Sequence, residues 1–269
     1  MSYVPLIVDT HWLAERVDDP NLRIVDATTF LKQPAEGGYY DVWSGKEVYE
    51  QGHIPGAVYA DLLGDLSDKN AEFKFTVPPR EQFVEKITDL GIGDGTYVVV
   101  YDQAQAVVGA PVIGSDWASR LAWQLHYEGF DNVAVLDGGF LKWKNEGRPV
   151  STEPGSYPKA HFTGVRRKEL LATKEDVKKA MHDDNTLLLN SLSPADFNGE
   201  TDTYERSGHI PGSVNVFFGV HSDPKSAELY DDEQLRDTFD QVGALDHTKK
   251  SDHVLWKWHR RNVECIIVK

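Results

Sequence analysis

The chain has 269 residues, 40% of them hydrophobic and 26% charged, and its 28 basic and 43 acidic residues give a formal net charge of −15. Such a charge repels nucleic-acid backbones and anionic membrane surfaces, no stretch reaches the roughly 18 apolar residues of a spanning helix, and the start Met1-Ser2-Tyr3-Val4-Pro5 lacks a secretory pattern. With Cys265 as its single cysteine, an internal disulfide and a multi-cysteine metal site are excluded, so we expect a cytoplasmic protein with neither a nucleic-acid nor a membrane partner.

The first predicted helix takes Thr10 as its cap and carries Trp12, Leu13 and Val17 on one face. Asp18-Asp19-Pro20-Asn21 stops it, and Leu22-Arg23-Ile24-Val25-Asp26 reads as a short buried strand. Gly52-His53-Ile54-Pro55-Gly56 follows, then the β-type segment Ala57-Val58-Tyr59-Ala60, and a helical run ends at Leu90-Gly91-Ile92. Tyr97-Val98-Val99-Val100-Tyr101 is the continuous apolar run of a buried parallel strand, and it ends in Asp102. A glycine-bearing loop through Ala110 to Gly114 leads to a helix over Ala118 to Leu125. A second buried strand, Val133 to Asp137, precedes Gly138-Gly139 and a closing helix around Phe140 to Trp143. Strands alternating with helices imply a parallel sheet with helices on both faces. Glu146 to Tyr157, rich in Gly, Pro, Ser and Thr, has the composition of a linker.

The same series then starts again. Thr173 and Asp176 form a capping-box pattern, Val177, Ala180 and Met181 supply an apolar face, and Asp183-Asp184-Asn185 leads into Leu187-Leu188-Leu189-Asn190. The string Gly-His-Ile-Pro-Gly recurs at Gly208 to Gly212, followed by Ser213-Val214-Asn215-Val216, and a later run ends at Val242-Gly243-Ala244. Four matched features in one order make the chain a tandem repeat, with a first domain over 1–150 and a second over 158–250, each of a size that buries its own core. His53 and His209 sit at matched sites as members of a shared structural turn or as a catalytic base. The first is preferred, because Pro55 and Pro211 fix the backbone there and Gly56 and Gly212 permit the turn. Asp231-Asp232-Glu233 reads as a solvated helix start, and the remaining histidines show no metal-ligand spacing.

These residues resemble the two-domain rhodanese family, the thiosulfate and 3-mercaptopyruvate sulfurtransferases. The paired HIPG strings, the Val-Val-Val-Tyr-Asp strand and Val-Ala-Val-Leu-Asp-Gly-Gly followed by Trp143 carry the resemblance, which runs from residue 4 to about 250. It implies an α/β fold of tandem domains, a small anionic sulfur donor, a thiol or cyanide acceptor and no cofactor. It also implies that the first domain has lost its catalytic cysteine, which Asp102 fits, and that the second holds one in a Cys-Gly-x-Gly loop just after its buried strand. Sulfur transfer needs a thiolate that attacks the outer sulfur of the donor and keeps it as a persulfide. A free thiol, with a pKa near ~8.5, is mostly protonated at neutral pH, so inward-pointing N–H groups opening a helix are needed to lower it. Arg206 is the candidate for gripping the donor, although a solvent-facing arginine is the ordinary reading. Asp196, before Phe197, stands where many members of the family have an arginine.

The cysteine loop is missing from the expected place. After Thr248-Lys249-Lys250 the chain reads Ser251-Asp252-His253-Val254-Leu255-Trp256-Lys257-Trp258-His259 and on through Cys265 to Lys269, an aberrant tail over 251–269 that leaves the second domain truncated. Read one nucleotide later from the Ser251 codon, Trp256-Lys257 and Trp258-His259 each force a glycine, and Leu255 written CTG or TTG before Trp256 yields cysteine. One permitted set of codons gives VITYCGSGIAATWSALLS: a buried strand, the Cys-Gly-Ser-Gly loop and a helix start. We therefore expect residues 251–269 to be a frameshifted reading, with the catalytic cysteine belonging near Leu255 and Trp256. Cys265 has no glycine loop after it and reads as a dispensable thiol in an unstructured or poorly packed tail.

Overall fold

The computed structural model describes residues 4–105, 107–110, 113–245, 253–259 and 262–268, the last two segments by their backbone. The chain forms two compact units. The first comprises Met1–Lys32, Asp41–Arg166 and Ser222–Leu229, and the second Gln33–Tyr40, Arg167–His221 and Tyr230–Lys269.

In the first unit the elements run β1 (Ile7–Val8), α1 (Thr10–Ala14), β2 (Leu22–Asp26), β3 (Thr29–Lys32), β4 (Asp41–Ser44), α2 (Lys46–Gln51), β5 (Val58–Tyr59), α3 (Arg80–Asp89), β6 (Tyr97–Tyr101), α4 (Asp116–Tyr127), β7 (Val133–Leu136) and α5 (Gly139–Asn145). Five of the strands form one parallel sheet in the order β1-β7-β6-β2-β5. The continuous apolar runs are its central strands, and their alternate residues feed two cores. Val25, Val98, Val100, Val133 and Val135 pack with Phe83 and Ile87 of α3 and Trp117 and Leu121 of α4. On the other face Ile24, Val99, Ala134 and Leu136 pack with Leu13 of α1, Tyr49 of α2, and Phe140 and Trp143 of α5. Helices therefore cover both faces, as a parallel sheet requires. The cap of α1 is Asp9 rather than Thr10: the Asp9 side chain accepts from the Trp12 N–H, while Thr10 is already the first helical residue and its hydroxyl donates to Glu146. Strands β3 and β4, absent from the sequence expectation, pair antiparallel and stack Phe30 on Trp43 at 5.6 Å between ring centres.

Residues 151–166 lie with the first unit as an extended strip. Glu128, with no side-chain exposure, receives Arg80 at 2.6 Å and the Arg166 Nε at 2.9 Å, and the Arg80 guanidinium also bonds the Gly164 carbonyl. Tyr157 stacks under the Arg23 guanidinium, 4.4 Å from its ring centre. These long-range contacts order a segment whose Pro-, Gly- and Ser-rich composition is that of a linker.

The second unit runs β8 (Leu171–Ala172), α6 (Lys174–Ala180), β9 (Leu189–Asn190), α7 (Pro194–Asn198), β10 (Val214–Asn215), α8 (Asp232–Asp240), β11 (His253–His259) and β12 (Asn262–Val268). Both expected acidic helix starts are caps: Thr173 and Asp176 form a capping box on α6, and Asp231 and Gln234 form one on α8. Strands β9 and β10 pair in parallel, as β2 and β5 do in the first unit. β11 and β12 form an antiparallel hairpin that continues onto β8. The runs His253–His259 and Asn262–Val268 are rich in aromatic and β-branched residues, which suit a pleated pair, so this part of the tail has regular backbone structure.

Candidate functional site

In an open parallel sheet the chemistry gathers where strands end and helices begin. At the end of β6 the chain turns at Asp102 and Gln103 into Ala104, held at φ 59°, before α4 starts at Asp116. The Asp102 carboxylate is 1% exposed and collects three backbone donors: Ala104 N–H at 2.7 Å on Oδ1, and Trp117 and Ala118 N–H at 2.9 Å each on Oδ2. Two of the donors open α4, so the helix N-terminus and the loop amides converge on one negative charge. Gly139, at φ 52°, comes close enough that a Cβ there would stand 2.7 Å from the Asp102 carbonyl; only glycine fits that approach. This loop is an anion cradle, and in the first unit it is filled by the protein's own carboxylate.

Asp26 ends the adjacent strand β2 and is fully buried. Its Oδ1 accepts the Thr28 N–H at 2.8 Å. Burial, with the Asp102 charge adding to it against the pull of Thr28 and Tyr101, raises its pKa to about 6. Sequence reasoning passed over Asp26, although its signal is plain: it ends a continuous apolar strand that pairs in register with the one ending in Tyr101-Asp102. At the end of β7, Asp137 accepts the Leu229 N–H at 2.8 Å, and Lys142 of α5 pairs with Glu228 and with Glu146. The segment Ser222–Leu229 is thereby fastened to the first unit.

The two HIPG turns are built alike. His53 stacks on Tyr49 at 4.0 Å between ring centres and 13° between planes, its Nδ1 2.7 Å from the Tyr49 carbonyl. His209 stacks on Phe197 at 3.7 Å and 7°, its Nδ1 2.7 Å from the Phe197 carbonyl. Gly56 and Gly212 both have positive φ, 79° and 85°. The Ala57 and Ser213 N–H groups close each turn onto Ile54 and Ile210, 3.0 Å in both. Pro55 and Pro211 stand between the isoleucine and the glycine of each turn. The stacking partners differ in what marks them in the sequence: Tyr49 stands four residues before His53, whereas Phe197, which follows Asp196, stands twelve before His209.

The turns differ in cover. His53 is fully buried, whereas His209 is exposed. Arg206 is exposed and, among the described residues, has no hydrogen-bond or ion-pair partner. It lies in a loop closed by the Ser207 hydroxyl donating to the Thr201 carbonyl at 3.0 Å. Asp196 is 9% exposed and accepts the Ser193 and Thr201 hydroxyls at 2.6 Å each, so it serves the start of α7. Tyr40 and Tyr204 have pKa values raised by burial and by the Asp196 charge. Leu255 and Trp256 lie on β11 and Cys265 on β12, in backbone register with Trp256 and Ala172; their side chains are outside the described residues. Among the described residues no group of three or more His, Cys, Asp or Glu could hold a metal, and no helix is long and apolar enough to cross a membrane.

A family model described as the rhodanese-like domain matches residues 9–146. The chain is 32% identical over 220 residues to a thiosulfate sulfurtransferase of Rattus norvegicus, covering 79% of this chain and 69% of that protein. It is 31% identical over 212 residues to a 3-mercaptopyruvate sulfurtransferase of Escherichia coli K12, covering 78% and 70%. Among solved structures, SseA from Escherichia coli, a 3-mercaptopyruvate sulfotransferase, superposes with a TM-score of 0.73 at 29% identity, over 89% of this chain and 84% of that one.

Proposed function

The chain belongs to the rhodanese family, and from that premise we propose that its gene encodes a sulfurtransferase that moves sulfane sulfur from thiosulfate or 3-mercaptopyruvate to cyanide or a thiol. A cysteine thiolate attacks the terminal sulfur of the donor: with thiosulfate the S–S bond breaks and sulfite leaves, and with 3-mercaptopyruvate the C–S bond breaks and the enolate of pyruvate leaves and takes up a proton. The enzyme persulfide then yields the sulfur to the acceptor and regenerates the thiolate. The observation that carries the reading is the loop after β6, where three backbone N–H groups converge on one negative charge. A thiolate placed in a cradle of that form is stabilised over the thiol. In the second domain the nucleophile belongs near Leu255 and Trp256, in the frame read one nucleotide later, and Arg206 is the candidate grip for an anionic donor. Residues 251–269 as written are then the aberrant tail of a truncated second domain, and this chain lacks transferase activity.

A noncatalytic, anion- or partner-binding rhodanese-like protein is the second reading. It is favoured by the chain as written, whose one cysteine, Cys265, lies on β12 and precedes no glycine loop. Expressing the gene as written and with the shifted frame restored separates the two. In a thiosulfate–cyanide assay that also tests 3-mercaptopyruvate, the restored chain is expected to turn over and the written chain to stay at background. Activity of the written chain that Cys265→Ser abolishes would overturn the proposed nucleophile, and inactivity of both folded chains towards either donor would favour the binding protein.

A further inference from the structure

His53 lies where the strip beyond α5 crosses the first HIPG turn. The two backbones bridge each other, His53 N–H donating to the Ser151 carbonyl and Ser151 N–H to the His53 carbonyl, both at 2.9 Å. The strip continues along the turn, with Gly155 N–H on the Ala57 carbonyl at 2.9 Å and the Tyr157 hydroxyl on the Gly56 carbonyl at 2.9 Å. The imidazole is the side-chain pin of this junction. Its Nδ1 stands 2.7 Å from the Tyr49 carbonyl of α2 and its Nε2 2.9 Å from the Glu153 carbonyl of the strip; His53 itself is fully buried, while Glu153 is exposed.

Backbone carbonyls only accept hydrogen bonds, and a neutral imidazole has one N–H. In the neutral ring, one of these two contacts sets a nitrogen lone pair against an oxygen lone pair. With both nitrogens protonated, both contacts are hydrogen bonds, and the charge lies against the face of Tyr49, stacked at 4.0 Å. Burial also holds the Tyr49 phenol in its neutral form, by raising its pKa. The other titratable groups around the junction are Lys46, Glu47 and Glu50 on α2, Asp26 and Tyr101 on the sheet, Tyr59 on β5, and Glu153 and Tyr157 on the strip. Among the described contacts none of these side chains bonds the imidazole. His209 provides the internal contrast: the same stack and the same Nδ1 contact, but an exposed ring whose Nε2 has no second carbonyl among the described residues.

We propose that His53 is a proton-operated pin, which as imidazolium holds the strip 151–157 on the first HIPG turn and on deprotonation releases it. This pin needs neither a catalytic cysteine nor a particular reading of the tail. The test is NMR on the full chain with ¹⁵N-labelled histidine, read together with amide exchange at Ser151 and Gly155 from pH 5 to 9. The expected result is a His53 ring protonated on both nitrogens at the acid end. As that ring loses its proton, exchange protection at Ser151 should fall about tenfold beyond the intrinsic base-catalysed change, the effect of losing roughly one hydrogen bond. In a His53→Gln variant the side-chain amide donates to one carbonyl, and the pH dependence of protection should vanish. A ring singly protonated across the whole range, or a proton lost with no change at Ser151, overturns the proposal, and both are read on the unmodified chain.

Discussion

Asp26 and Asp102 end neighbouring strands with carboxylates that are both out of solvent, and they differ in the donors each one meets. Asp102 takes three backbone N–H donors on its carboxylate oxygens. Asp26 has one backbone donor and a like charge nearby, so its pKa rises to about 6. The folded state therefore grips the Asp26 proton more tightly than the unfolded state does. Its contribution is fully present below the unfolded value near 3.8, is lost as pH rises through about 6, and stays lost above that. Asp26→Asn removes this loss. We expect it to stabilise the first unit by about 1–3 kcal/mol at pH 8, with a smaller gain at pH 5, in urea denaturation at the two pH values. Asp102→Ala acts in the opposite direction. It leaves three buried N–H groups without their acceptor and should cost about 2–4 kcal/mol at pH 8 by the same measurement, with Asp102→Asn costing less.

At the scale of elements, the strip 151–166 shows how far tertiary contact can override local composition. Arg166 binds both Glu128 and the Pro78 carbonyl, the latter at 3.1 Å, and Arg80 reaches Glu128 and Gly164. Arg166→Ala removes one arm of this buried ion group. It should cost about 2–4 kcal/mol and make the strip the earliest site of cleavage in limited proteolysis; an unchanged cleavage pattern would show that Arg80 and Tyr157 suffice. Leu22–Asp26, Tyr97–Tyr101 and Val133–Leu136 were legible because a parallel strand buried on both faces must be apolar throughout. The hairpin β3–β4 was not, since its strands are only partly buried and mix polar with apolar residues, with one aromatic stack across the pair. The strip was not legible either, because its partners lie far away in sequence: Glu153 meets His53 and Arg166 meets Glu128. At the candidate site the HIPG strings and Asp102 could be read as residues. The aromatic under each histidine and the three amides around Asp102 belong to the folded backbone.

For the whole molecule, the unequal cores of the two units set the order of unfolding. The first unit buries two extensive clusters, one on each face of a five-stranded sheet. Among the described residues of the second, the clusters are small: Ala172, Val177 and Leu188 in one, Leu189, Val216 and Ala244 in the other. No residue of α8 is buried there. Apolar burial is the main favourable term in folding and scales with area, so the second unit should unfold first. Urea denaturation followed by tryptophan fluorescence and far-ultraviolet circular dichroism is expected to show two transitions, and proteolysis at the intermediate concentration should spare the first unit. The written and frame-restored chains must then differ in the lower transition alone. The sequence VITYCGSGIAATWSALLS supplies an apolar strand and a helix start to the second core and nothing to the first, so restoration should move the lower midpoint up and leave the upper one in place. A single transition in the written chain, coincident by both probes, would mean that the hairpin β11–β12 completes the second unit well enough to unfold with the first. The tail would then be a working part of this protein's fold rather than the remnant of another reading frame.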